Sequence, residues 1–231
     1  MSNSPLISCI CITNNRVAYL RRAIICFAYQ NYPIKELVIS YPNKDSQTAS
    51  FLEEILKYNN LPLLILTRSN DESVGNARNI AISKCRGDYI CIWDDDDWYH
   101  SSRLSFQLNS IFNTEPIFHG SVLTRLILFD ENTQLAYMSF LHCWENTLLC
   151  KKEMIYQNQY AHLNLGEDSH IIKFLDNKKL LFHIETAPFL YVYIYHGSNT
   201  WNYEHFKYLT KKSSVIEDEI SQQIKKIINL S

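Results

Sequence analysis

Four consecutive carboxylates, Asp94 to Asp97, stand in the stretch GDYICIWDDDDWYH, directly after a run of apolar residues. Two unit charges about 4 Å apart repel by roughly 4 kcal/mol at an effective dielectric of about 20. A run of this kind at the mouth of a buried strand calls for a compensating cation. In extended backbone alternate side chains share a face, which puts Asp94 and Asp96 on one side and Asp95 and Asp97 on the other. Two carboxylates on one face suit Mn2+ or Mg2+, which commonly binds through one or two carboxylates and completes its shell with substrate phosphates. The expected chemistry is that of a metal-held phosphate. An acidic helix start is the competing reading, and Asp97 fits it for the helix that follows.

The elements that position this run alternate in type. Leu6 to Ile12, Lys35 to Ser40, Leu61 to Thr67 and Asp88 to Trp93 read as strands with nearly continuous apolar residues. Arg16 to Gln30, Thr48 to Tyr58, Gly75 to Cys85 and Ser102 to Phe112 read as helices. This order implies an α/β fold, a mostly parallel sheet with helices on both faces. Ligands of such sheets sit beyond the carboxyl ends of the strands, where the aspartates begin.

Beyond Phe112 the pattern becomes α+β. Ser121 to Leu141 resembles a hairpin turning at Asp130 to Thr133, and ENTLLCKKEMI a strand entering a short helix. No linker rich in Gly, Ser or Pro separates the halves, so a single domain is expected, with residues 1–112 and 113–200 as its halves and 201–231 as a tail. In the tail, Phe206, Leu209, Val215, Ile216, Ile220, Ile224, Ile227 and Ile228 recur at helical spacing, as for a C-terminal amphipathic helix. Its Lys207, Lys211, Lys212, Lys225 and Lys226 offer a weak peripheral contact with an anionic membrane surface; a cap on the core or a dimer contact is the other use.

A formal net charge of −2 over 231 residues gives no global footprint for nucleic acid. The seven cysteines are odd in number and include no CxxC pair, which points to reduced core thiols. The first fifteen residues lack a basic region followed by a long apolar stretch, and no window reaches the roughly 18 apolar residues of a membrane span. A cytoplasmic protein is expected, with any membrane contact peripheral and at the inner face.

Several short segments, in order, carry a resemblance. ITNNR (Ile12 to Arg16), QNYP (Gln30 to Pro33), NARN (Asn76 to Asn79), GDYI (Gly87 to Ile90), DDDDWYHSSRL (Asp94 to Leu104), NLGEDSHI (Asn164 to Ile171) and YHGSNTW (Tyr195 to Trp201) follow the motif series of the family 2 glycosyltransferases. The chain resembles that family, inverting enzymes of the GT-A fold, from Leu6 to about Thr200. The resemblance implies a nucleotide-sugar donor, a glycan or lipid-linked acceptor and a role in surface glycan or polysaccharide synthesis. It implies Asp96 as the metal ligand of a DxD motif, with Asp94 near the ribose or metal and His196 reaching back to the metal or diphosphate. Thr13, Asn15, Arg16, Arg78 and Asp95 fall on the donor side. Asp168 is the implied base that deprotonates the acceptor hydroxyl, with Glu167 supporting it or binding the acceptor; both also read as the acidic start of a helix.

One segment departs from the family. Its second strand ends in DDGS, whose carboxylate reads the base, and here Tyr41 and Pro42 stand at those positions. Pro42 offers neither donor nor carboxylate, and Tyr41 is expected to stack on a base, with Asn43 or Asp45 as substitutes for the missing carboxylate. The nucleotide is therefore open. Two other functions stay open too: nucleotidyl transfer, and a nucleotide-binding protein with little or no catalysis.

Overall fold

The computed structural model describes residues 4–114 and 118–229. Its main sheet is built from β1 (Ile7–Ile12), β2 (Lys35–Pro42), β3 (Leu63–Arg68), β4 (Tyr89–Ile92), β6 (Gly120–Leu123), β9 (Leu149–Lys151) and β10 (Leu181–Ile184). Their spatial order is β10-β6-β9-β4-β1-β2-β3. Strands β3, β2, β1 and β4 run parallel, and β9 enters antiparallel between β4 and β6.

The alternating strands bury both faces, as expected for a parallel sheet. On one face Cys9, Leu37, Ile39 and Cys91 pack with α1 (Val17–Ala28), α2 (Ser46–Tyr58) and α4 (Arg103–Phe112). On the other, Ile10, Val38, Ile90 and Ile92 pack with α3 (Val74–Lys84), α5 (Lys152–Gln157) and α6 (Ser169–Asn177).

A second sheet, ordered β12-β8-β7-β11-β5, joins β5 (Trp98–Tyr99), β7 (Ile127–Asp130), β8 (Leu135–Met138), β11 (Tyr191–Tyr195) and β12 (Ser214–Val215). Only Ile127 to Met138 of the expected hairpin is one; β6 leaves it for the main sheet, pairing with β10 and β9. The tail is likewise not one helix. It divides into α7 (Tyr203–Lys211) and α8 (Asp218–Asn229), with β12 between them pairing with β8. Ser213, Ser214, Val215 and Ile216 favour an extended strand over a continuing helix.

The apolar face of α8 is divided, with Ile220 and Ile227 left exposed and Ile224 and Ile228 buried. Ile224 and Ile228 close a small cluster with Phe129, Ala136, Val192 and Ile194. Lys212, counted at first with a membrane-facing set, lies over the Phe140 and Tyr208 rings at the cleft. Among the described residues no helix is long and apolar enough to cross a membrane.

Candidate active site

The aspartate run is the crossing between the two sheets. Strand β4 ends at Ile92, and β5 begins at Trp98, paired antiparallel with β11. Residues 94–97 form a bend pinned at both ends rather than a continued strand, so the simple alternation of faces breaks down. Asp94 Oδ2 and Asp97 Oδ2 both accept from the Tyr191 hydroxyl, the former at 3.4 Å. Asp95 and Asp96 instead share Arg16, whose Nη1 lies 3.5 Å from Asp95 Oδ1 and 2.8 Å from Asp96 Oδ2.

Each carboxylate has a distinct environment. Asp97 is buried, and its Oδ1 accepts from the Ile194 backbone N–H at 2.9 Å. Burial and the neighbouring Asp96 push its carboxyl well above the usual range. Asp95 accepts from Thr13 Oγ1 at 2.6 Å, and burial, with Asp96 beside it, pushes it up to about 7. Asp94 is also raised, by burial first, against the opposing pull of Arg78. Asp96 Oδ2 faces His196 Nε2 at 3.1 Å, and the His196 ring, stacked 4.1 Å from the Tyr19 ring, lies behind it with no exposed surface.

Across the cleft, Arg78 projects from α3 and joins the two halves of the chain. Its Nη2 donates to Asp94 Oδ1 at 3.1 Å, its Nη1 bonds Glu167, and Asp168 Oδ2 lies 3.7 Å from Nη1. Glu167 is buried, lines the cleft and commits one oxygen to this arginine. Asp168 occupies the N-cap position of α6, yet its side chain caps no backbone N–H. The carboxyl stays available at the cleft wall, and burial pushes it up to about 6.

The cleft measures about 520 Å³. Seven carboxylates line it, Asp94 to Asp97, Glu145, Glu167 and Asp168, against three permanent cations, Arg16, Arg78 and Lys212. That excess of negative charge, with several carboxyls raised by burial, is one a bound divalent cation would offset; Asp94 lies on the Arg78 side of the run, and Asp96 on the Arg16 side with His196 behind it. Phe140, Trp144, Tyr193, Trp201 and Tyr208 supply broad apolar faces further out.

Two residues expected at the donor do not reach the cleft. Tyr41 points from β2 into the apolar cluster beneath α1 and α2, because its position alternates with Leu37 and Ile39 on that face. Asn15 is an exposed turn residue at φ 52°, a conformation asparagine tolerates, and its N–H donates to Asp45 Oδ2 at 2.6 Å. Asp45 is no substitute for a base-reading carboxylate either. Its oxygens also accept from the Thr48 N–H at 3.0 Å and the Thr48 hydroxyl at 2.6 Å, capping α2. Thr13 acts one step removed, through Asp95.

Other residues contribute that the motifs gave no role, although Arg103 stands inside the DDDDWYHSSRL segment. Tyr191 lies inside the apolar run YVYIY with no spacing signal toward Asp94. Arg103, fully buried, is boxed by the Trp93, Tyr99 and Tyr191 rings at 5.3, 4.8 and 4.9 Å, a cation stored behind the aspartates. Gly75 begins α3 so close to the 161–167 loop that a Cβ would stand 1.8 Å from the Ala161 carbonyl oxygen.

The family model described as glycosyl transferase family 2 matches residues 8–174, well over half of the chain. The chain belongs to glycosyl transferase family 2. An uncharacterized glycosyltransferase of Haemophilus influenzae is 30% identical over 120 residues, which span 52% of this chain and 48% of that relative. The chain thus matches about half the length of that relative. Among solved structures, S. aureus TarS 1-349 in complex with UDP-GlcNAc superposes with a TM-score of 0.69 at 16% identity, over 95% of this chain and 70% of that one. The mannosyltransferase PcManGT from Pyrobaculum calidifontis, in complex with GDP-Man and Mn2+, gives 0.65 at 15% identity, over 89% and 61%. These likenesses establish a GT-A fold for this family 2 chain.

Proposed function

We propose that this family 2 chain is an inverting glycosyltransferase, of the hexosyltransferase type, that moves a sugar from a nucleotide donor to a hydroxyl of a glycan or lipid-linked acceptor. The observation that supports the reading is the meeting of Asp96 and Arg16 with the Arg78–Glu167–Asp168 group around one cleft, with His196 behind Asp96. Surface glycan or polysaccharide synthesis at the inner face of the membrane is the setting we assign to it.

The residues divide the work. Arg16 and Arg78 offer fixed guanidinium donors to the diphosphate of the donor. Asp94 and Asp96, with His196 behind Asp96, would hold a divalent cation, which would supply positive charge where the leaving nucleoside diphosphate becomes more negative. Asp168, titrating at about 6, is ionised at neutral pH and still basic enough to take the acceptor proton. The aromatic outer wall, with Lys212 and His205 at its edge, suits the apolar faces and polar rims of sugar rings.

The fold does not choose the base, since TarS is solved with a uridine nucleotide and PcManGT with a guanosine one. A panel of UDP- and GDP-linked sugars with Mn2+ therefore tests donor and activity together. Release of nucleoside diphosphate, lost in Asp96→Asn, is expected. Pyrophosphate release would assign nucleotidyl transfer, and absence of turnover alongside metal-dependent nucleotide binding would assign a non-catalytic role.

A further inference from the structure

Six of the seven cysteines are buried; Cys143 is the exception, half-buried on the loop between β8 and β9. Its Sγ lies 3.7 Å from His183 Nε2, on edge strand β10. The same Nε2 lies 2.8 Å from Asp176 Oδ1, on the last turns of α6. Three donor atoms of different chemistry, from three separate elements, meet within 4.8 Å of one another. A plain surface ion pair needs only the aspartate and the histidine; it gives no reason for a thiol to share the same nitrogen.

We propose that Cys143, Asp176 and His183 form a zinc site, distinct from the cation site at the aspartate run. One thiolate, one imidazole and one carboxylate make a ligand set suited to Zn2+, with water in the fourth position. Tetrahedral bonds of about 2.0–2.3 Å place ligand atoms roughly 3.3–3.6 Å apart. The sulfur–nitrogen spacing already fits. The nitrogen–oxygen pair has to open by about half an ångström, exchanging its hydrogen bond for two metal bonds. On coordination the thiol releases its proton to solvent.

The placement gives the site a purpose. It fastens the C-terminal turn of α6, whose N-cap residue is Asp168, to an edge strand of the main sheet. It fastens both to the loop that continues into Trp144 and Glu145 of the cleft wall. Zinc here is a structural clamp on the element that carries Asp168, and its binding does not depend on the sugar-transfer reading.

The test is titration of the metal-free full chain with Co2+ as a spectroscopic substitute for Zn2+, followed by displacement with Zn2+. A near-ultraviolet thiolate-to-cobalt band reports Cys143 specifically, because the aspartate site has no cysteine donor. The expected result is a saturable band that Zn2+ abolishes, absent in Cys143→Ser and weakened about tenfold or more in apparent affinity in His183→Ala. All three ligands lie near the surface, and circular dichroism confirms that the variants fold. No thiolate band, or a band unchanged in either variant, overturns the proposal.

Discussion

Arg16 and His196 both face a single oxygen of Asp96, at 2.8 and 3.1 Å. Arg16 also donates through Nη2 to the Ser198 carbonyl at 2.6 Å, so it ties the aspartate bend to the loop after β11. The guanidinium places a fixed positive charge beside Asp96, where it would compete with a bound cation.

Removing that competitor has opposite effects on the two ligands. Arg16→Ala should strengthen Mn2+ binding to the nucleotide-free protein by on the order of tenfold, because an adjacent like charge is lost. The same variant should bind nucleoside diphosphate more weakly, by a similar factor, through loss of a charge-assisted contact. Isothermal titration of each ligand separately reads both; a fall in both affinities would show that Arg16 does not compete at Asp96.

Asp168→Asn keeps the shape of the base and removes its proton affinity. Turnover should fall by about 10²–10⁴-fold with donor affinity within twofold of the parent. In the parent, kcat/KM should rise with pH through an inflection near 6, because the ionised carboxylate is the active form and is protonated below that value. A profile flat from pH 5 to 8 would place the base elsewhere.

Stability should move the other way with pH. Asp95 and Asp168, raised by burial to about 7 and about 6, bind more protons folded than unfolded between roughly pH 4 and 7. Their protonation favours the folded chain, so the melting temperature should climb as pH falls from 8 toward 5. Further acidification reverses the trend. Burial alone would raise Glu36 and Asp45, yet hydrogen bonds from Arg86 and Ser8, and from Thr48 and Asn15, hold both below the usual range. Asp95→Asn, which keeps an acceptor for Thr13, should raise the melting temperature at pH 8 by a few degrees and flatten the slope. Saturating Mn2+ should flatten it too.

Gly75→Ala probes the contact between α3 and the catalytic loop. The added Cβ meets backbone, the Ala161 carbonyl, so helix and loop must part. The expected cost is about 1–3 kcal/mol of stability with loss of turnover as the Arg78–Glu167 pair separates. Unchanged activity and melting temperature would show that the loop yields freely.

The parallel sheet and its helices were legible because buried strands and amphipathic helices write their periods directly into the sequence. Strand Lys35–Pro42 and helix Ser46–Tyr58 lie within two residues of expectation. Motif order singles out the aspartates, Arg78, Glu167, Asp168 and His196, and the structure brings Arg78 onto Asp94, Glu167 and Asp168, and His196 onto Asp96. What the sequence did not display are relations across the fold. Tyr191 meets Asp94 over a separation of 97 residues. Tyr41 follows the pleat of β2 into the core, a consequence of register rather than of motif position. The tail reads as one amphipathic period, and only pairing with β8 shows why Ser214 and Val215 interrupt it.

The antiparallel insertion of β9 has a consequence for how such a chain can diversify. Leu149 to Lys151 come from the second half of the chain, yet they cover the flank of β4, the strand that ends in the aspartates. Severing the chain near residue 112 would turn β4 into a bare edge and leave β9 without its β4 neighbour. The two halves of the chain are thus not exchangeable blocks. New sequence can be grafted into the loops around β9, while the strand itself must be inherited with the first half.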